Sequence, residues 1–597
     1  MTVFRAPVSD IRFTLDHIAG FDRLATLNVF AEATPDLVGA VLEEIGRLAG
    51  EVLAPLNRVG DAQGSVLENG VVRTPDGFRA AYAKFAEGGW NGLSFDPDYG
   101  GQGLPFTLSV AMMEMVTAAN MGFALCPMLN LGGLEALKTH ASDALKARFL
   151  EPVVSGRWTM TMNLTEPQAG SDVGALRTRA EPQDDGSYRI SGQKIFITYG
   201  DHDWTENILH LVLARTPDAP PGTKGISLFL VPKFHVNDDG SIGEANDLRC
   251  VSLEHKLGIH ASPTAVMSYG DEGRCVGYLL GEENKGMRCM FTMMNHARLN
   301  VGLQGLAIAE RATQRALAYA SERRQGRAVG ATSEGSSAII EHADVRRMLM
   351  TMKAYTEAMR ALIYRNAVAV DLSLHHPDEE TRAREADIAA FLTPISKGFC
   401  TDMGCEVTSI GIQVHGGMGY IEETGAAQHF RDARIAPIYE GTNGIQALDL
   451  VMRKLPLRGG AITSEIAAEL RQAIAGLKAH AELSDLVLPL NEGLAAFEEA
   501  AAWLYGNLAE APRTSAAGAT AFLHLCGHAI AAALLARGAV AAQKQIADGE
   551  DRRYFETRIT LARFFIEQFV PKVRGLWPQV EGGDDILFAL DPDQLAS

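Results

Sequence analysis

The chain has 597 residues, of which 47% are hydrophobic and 21% charged, the composition of an ordinary globular protein long enough for several domains. Its net charge of -19 argues against a surface that coats nucleic acid or anionic membrane, since both need basic patches. Seven cysteines, with no CxxC pair and no histidine cluster beside Cys400 and Cys405, read as reduced, buried thiols rather than zinc ligands or disulfides.

Residues 1–35 form a short leader carrying Arg5, Asp10, Arg12 and Asp16. Its charges interrupt any apolar core of an export signal, and no later run reaches about 18 uninterrupted apolar residues, so a cytoplasmic location without a membrane span is expected. From 36 to 157 the pattern is helical, with Val38, Val41, Leu42, Ile45 and Leu48 marking one apolar face. The segment "GGWNGLSFDPDYGGQGLP" (88–105) interrupts it as a Gly- and Pro-rich loop. Residues 158–285 change character. Runs of β-formers at 158–164, 188–190, 195–198, 208–214, 226–231 and 264–269 alternate with turn-formers, which predicts a small barrel or sandwich. Long helical patterns return at 286–325, 338–372, 382–409 and 442–454, and their natural packing is a bundle over 286–455. Residues 456–463 read as a linker, and 464–597 as an appended helical region. The expected fold is therefore mainly α with a central β domain.

Several segments carry chemistry. "IYEGTNGIQ" (438–446) places one carboxylate, Glu440, after an apolar run; Gly441 follows, and the helix N-cap types Thr442 and Asn443 come next. A carboxylate beside apolar neighbours has its charged form disfavoured, which moves it toward a useful general base. "MNLTEPQAGSDVGALRTRA" (162–180) leads from a strand end into a turn of small residues, whose backbone N–H groups can meet a flat heteroaromatic edge or a phosphate. "QVHGGMGY" (413–420) is a glycine turn that permits close approach to a phosphate chain, without the spacing or βαβ setting of a Rossmann fingerprint. No HExxH, P-loop or GxSxG is present, so metalloprotease, NTPase and serine-hydrolase chemistry has no support.

Taken together these segments resemble the acyl-CoA dehydrogenases. The resemblance covers about residues 35–455, and the leader and the C-terminal region resemble a long bacterial subgroup of that family. It implies a helical domain, a β domain, a four-helix bundle and a helical extension. It also implies FAD as cofactor, no metal, an electron-transfer flavoprotein as electron acceptor, and a homodimer. Glu440 would abstract the substrate α-proton. Met162, Asn163, Leu164 and Thr165 would run along the flavin pyrimidine, and Ser171 would lie near the pyrophosphate or the substrate pantetheine. In "ISGQKIFIT" (190–198), Phe196, Ile197 and Thr198 would flank the flavin; Phe196 stands where Trp is commoner, which keeps a stacking face and loses the indole donor. Arg323 and Gln325, in "ASERRQGR", and Gln413, Gly416 and Gly417 would touch the FAD of the neighbouring subunit. Thr442 and Asn443 would contact FAD, and Asn295, Arg298 and Gly441 the substrate. Relatives that carry their base on the 286–325 helix place it where this chain has Ala297, which leaves Glu440 as the better choice.

The implied reaction is α,β-desaturation of an acyl-CoA, with 3-methylmercaptopropionyl or a short or medium fatty acyl group as the substrate class. Two alternatives share the fold: an oxidase that passes electrons to oxygen, and a DNA-associated flavoprotein without efficient dehydrogenation. The acidic balance opposes the second.

Overall fold

The computed structural model describes residues 4–332 and 334–597. The chain forms two compact units, Val41–Asn300 and Met1–Ala40 with Val301–Ser597. Each is taken by itself.

The leader contributes α1 (Val8–Thr14), and α2 (Pro35–Leu48) starts at Pro35 with the Thr34 hydroxyl accepting from Leu37 N–H at 3.3 Å. In the 41–300 unit, α3 (Phe106–Ala119), α4 (Met121–His140) and α5 (Asp143–Val154) are mostly apolar on their buried sides, with Thr107, Ser109, Glu114 and Thr117 of α3 and Asn130 of α4 buried among them. The Asn120 side chain caps α4 by accepting from Phe123 N–H at 3.1 Å.

The strands of the main sheet are β1 (Trp158–Asn163), β2 (Arg179–Pro182), β3 (Tyr188–Thr198), β4 (Asn207–Ala214), β5 (Ser227–Pro232), β6 (Leu248–Leu253), β7 (Thr264–Tyr269) and β8 (Val276–Leu280); short two-stranded hairpins lie at Val66–Glu68 with Val71–Arg73 and at Phe234–Val236 with Ile242–Ala245. Among the described residues the main sheet is eight-stranded, ordered β6-β7-β3-β8-β5-β4-β1, with β2 on β3. The β1–β4 pair is parallel and the others are antiparallel. The sheet curls so that its β1 end meets β3: Ile195 N–H donates to Thr165 O at 2.9 Å, and the Thr161 hydroxyl donates to Thr198 O at 2.7 Å. Gly133 lets α4 lie on β1, because a Cβ there would come within 2.8 Å of Met160 Sδ.

Two sequence expectations change here. The runs at 188–190 and 195–198 are one strand, because Gly192 and Gln193 continue the ladder opposite Tyr269 and Ser268. Strands β2, β6 and β8 were not expected. All three are short; exposed charged or polar residues break the alternation of β2 and β6, and β8 is a five-residue run with Gly277 inside it.

The second unit is built on α6 (Gly286–Glu322, whose residues from Val301 onward belong to this unit), α7 (Ala343–His375) and α8 (Glu379–His415). After α9 (Ala426–Ala433) comes α10 (Asn443–Asp449), which widens into a π-turn at Leu450–Lys454 rather than staying α-helical to 454. The appended region holds α11 (Ala461–Lys478), α12 (Val487–Asn507), α13 (Ala519–Ala547) and α14 (Arg552–Glu581). By length and composition α13 could cross a membrane, yet 89% of its most apolar window is buried in the fold, as in a core helix.

An ionic cluster ties the leader to the bundle and to α14. Asp10 pairs with Lys353 at 2.8 Å and Arg558 at 3.0 Å, Glu357 with Lys353 at 3.0 Å and Arg558 at 2.9 Å, and Glu310 with Arg360 at 2.9 Å. Burial alone would raise the Asp10 carboxyl; Lys353, Arg558 and Arg360 together hold it well below the usual carboxylate range.

Candidate active site

Glu440 stands at the apex of the turn between α9 and α10. Its φ is +57° and that of Gly441 is +82°, two consecutive left-handed residues. A non-glycine residue in that region costs roughly 1–3 kcal/mol and persists only where its surroundings impose it. Here the surroundings do so in two ways. Asn443 N–H donates to Pro437 O at 3.0 Å and closes the loop. The Gln446 amide donates to both Glu440 O and Gly441 O at 3.2 Å. The φ of +82° at residue 441 calls for glycine, and a Cβ there would also press on Gln446 Nε2 at 2.9 Å.

The Asn443 side chain then fastens the loop to α8. It accepts from Lys397 Nζ at 2.8 Å and donates to Asp402 at 2.7 Å and Gly398 O at 3.1 Å, with the Thr401 hydroxyl 3.0 Å from the same amide nitrogen. A ligand contact at this position therefore falls to its backbone. Thr442 is exposed and caps α10, accepting from Ile445 N–H at 3.4 Å. The Tyr439 hydroxyl donates to Gln304, and burial, with Glu440 adding to it, pushes that phenol far up. Glu440 itself is half-buried, a carboxylate presented by a clamped and strained backbone, which suits a base. A pocket of about 470 Å³ opens beside the loop, between Thr442, Ile445 and Leu448 on one side and Arg513, Thr520 and Phe588 of the appended region on the other.

In the 41–300 unit the two motif segments are held together by a buried ion pair. Lys194 Nζ lies 2.8 Å from Glu166, with side-chain exposures of 0% and 4%. Lys194 also donates to Leu164 O at 3.0 Å. Glu166 accepts in addition from the Thr178 hydroxyl at 2.6 Å, Thr178 N–H at 3.0 Å and Arg177 N–H at 2.7 Å. Burial opposes ionisation of Glu166, but Lys194 and these donors win and draw it down to about 2. Burial draws Lys194 down to about 8 despite Glu166. Neither residue was singled out in the sequence. The available signal was Lys194 alone, a cation within the β-forming stretch 188–198; Glu166 lies in a polar turn and gave none.

Phe196 is 58% exposed, has a φ of +60°, and sits where the β3–β7 register slips. A bulge of this kind re-aims a side chain, and here it turns an aromatic face outward. Ile197 is buried and Thr198 half-buried. Met162 and Asn163 are buried; the Asn163 side chain accepts from the Tyr269 hydroxyl at 2.7 Å, so it points into the β core. Leu164 and Thr165 are half-buried and Ser171 is exposed.

Arg298 is buried, with its guanidinium 5.8 Å from the Phe291 ring centre; Ala297 beside it is buried as well. Asn295 lies on α6 with its side chain outside the described residues. Arg323 and Gln325 form an exposed turn after α6, with 3.4 Å between Arg323 Nη2 and Gln325 Oε1. Gln413, Gly416 and Gly417 are exposed at the end of α8, and a Cβ on either glycine would meet nothing within 4 Å. Met418, Tyr420 and Ile421 follow, also exposed. The fold thus gathers Glu440, Gly441, Thr442 and Asn443 into one loop, while 323–325 and 413–417 make separate open turns. The outward Phe196 and the two open glycines suit a flat ring and a phosphate chain.

The chain matches the acyl-CoA dehydrogenase N-terminal domain over 40–157, the middle domain over 161–271 and the C-terminal domain over 284–455. The acetyl-CoA dehydrogenase C-terminal-like family matches 463–591. It is 47% identical to the 3-methylmercaptopropionyl-CoA dehydrogenase of Ruegeria pomeroyi over 98% of this chain and 99% of that one. It is 36% identical to a butyryl-CoA dehydrogenase of Syntrophomonas wolfei over 95% of each. In fold it resembles an acyl-CoA dehydrogenase of Bacillus anthracis complexed with FAD, with a TM-score of 0.74 and 20% identity over 95% of this chain and 91% of that one. With all three parts of the family matched in order and relatives covering nearly the full length, the chain belongs to the acyl-CoA dehydrogenase family and is an FAD-dependent enzyme.

Proposed function

We propose that this enzyme converts an acyl-CoA thioester to the trans-2-enoyl-CoA with Glu440 as the base that takes the α-proton. The observation that carries this reading is the Glu440 loop, where a half-buried carboxylate is held at a left-handed apex by Asn443 and Gln446. An α-proton beside a thioester is too weakly acidic for a carboxylate in water, so donors must stabilise the developing enolate oxygen. Family resemblance assigns one of these to the backbone N–H of Glu440. FAD, when bound, supplies the acceptor for the β-hydride.

Phe196, Thr198 and the backbone of 162–165 would hold the flavin ring, with Ser171 toward the pyrophosphate or the pantetheine. Arg323, Gln325, Gln413, Gly416 and Gly417 would hold the nucleotide end of the FAD bound by a second copy, which makes the working unit a homodimer. Arg298 and Gly441 would border the acyl thioester. An electron-transfer flavoprotein would take the electrons. Near-full-length likeness to a 3-methylmercaptopropionyl-CoA dehydrogenase favours that thioester, with butyryl-CoA next.

The test is anaerobic bleaching of the bound flavin by 3-methylmercaptopropionyl-, butyryl-, octanoyl- and palmitoyl-CoA. Fastest bleaching by one of the first two is expected, with little peroxide released in air. Bleaching by none of the four would overturn the reading. Rapid peroxide release would overturn the assignment of the electron acceptor.

A further inference from the structure

Asn443, which closes the Glu440 loop, is fastened to α8, and α8 is in turn fastened to the appended helix α13. Asp402 on α8 uses one carboxylate oxygen to accept from Asn443 at 2.7 Å, and its other oxygen lies 3.0 Å from His524 Nε2 on α13. The helices touch closely around this point. A Cβ on Gly398 would come within 2.7 Å of Leu523, and one on Gly527 within 2.4 Å of Phe399. The same Gly398 offers its carbonyl to Asn443 at 3.1 Å. The position of α13 is therefore transmitted to the loop through one turn of α8.

We infer that His524 is a positioning residue for the reaction: through Asp402 and Asn443 it fixes the loop that presents Glu440, and this gives the appended region a part in catalysis. The inference rests on Glu440 being the base. Without the His524 hydrogen bond the Asp402 carboxylate can rotate toward solvent and release the Asn443 amide. Asn443 N–H holds Pro437 O only while Asn443 keeps its place. His524 and Asp402 are 20% and 31% exposed, so water can take over part of the lost bond and the effect is a moderate one.

The experiment compares His524→Phe, which keeps a ring beside Phe399, with His524→Gln, which keeps an N–H donor of similar reach. Both are studied as FAD-loaded enzyme, for kcat and KM, anaerobic bleaching rate and melting midpoint. The Phe variant should lower kcat and the bleaching rate by about three- to tenfold with KM within about twofold, and the Gln variant should recover to within about twofold of the parent. An unchanged rate in the Phe variant would overturn the inference. So would a rate loss that tracks a fall in melting midpoint and is not recovered by Gln. Glu440→Gln, run alongside, separates the two layers: if it is inactive while His524→Phe is normal, only the positioning role fails; if it bleaches normally, the reading beneath it fails.

Discussion

Replacing Lys194 with Met removes the cation facing Glu166 while keeping most of the side-chain volume. Both groups are essentially inaccessible to water, and their separation is 2.8 Å. Leaving one charge of a buried pair behind costs about 3–5 kcal/mol. Glu166 would still have Thr178 and Arg177 as donors, which points to the lower end. A carboxyl lowered in the folded state contributes stability above its ordinary value and loses it as pH falls from 4.5 toward 2. The variant should therefore melt roughly 10 °C lower at pH 7, on the scaling for a unit of this size. It should also show a weaker dependence of melting temperature on pH below about 4.5 than the parent. Because Lys194 also holds Leu164 O, FAD release, followed by flavin fluorescence, should shift with the melt. A variant that melts with the parent and keeps the parent's acid limb would refute this argument.

Phe196→Ala should weaken FAD binding by about tenfold, since it removes an aromatic stacking face, with little change in melting of the FAD-free protein because the ring is exposed. Equilibrium titration with FAD checks it, and parent-like affinity would remove Phe196 from the flavin site. Asp10→Ala should cost about 3 kcal/mol by leaving Lys353 and Arg558 short of a buried partner, while kcat of the folded enzyme stays at the parent value. Thermal unfolding with parallel kinetics decides that, and an unchanged midpoint would mean that water replaces the carboxylate.

The helical and β stretches were legible because their apolar periodicity is strong: β7 and the long helices are found close to the residues expected. β6 was not, because the exposed Arg249, Val251 and Ser252 break the alternation on which a strand reading depends. Glu440, Gly441 and Phe196 were legible as residue types. Their left-handed backbone was not: for Glu440 and Gly441 it rests on hydrogen bonds from Asn443 to Pro437 O and from Gln446 to Glu440 O and Gly441 O, and for Phe196 on a register slip between Ala265 and Met267 of the neighbouring strand. Asn443, expected as a ligand contact, is found with its side chain bonded to Lys397 and Asp402 on α8, partners distant in sequence. Glu166 and Lys194 are 28 residues apart, and only the curl of the sheet brings them together.

Glu440→Gln decides whether the loop carries the reaction. The amide keeps the shape of the side chain and cannot accept a proton, so the FAD-loaded variant mixed anaerobically with the preferred acyl-CoA should show a perturbed flavin spectrum without bleaching. Its reduction rate should fall by about 100- to 10,000-fold, with acyl-CoA affinity largely kept. Bleaching at a near-parent rate would contradict the assignment, and since Ala297 has no group able to accept a proton, the base would then have to be sought elsewhere in the chain.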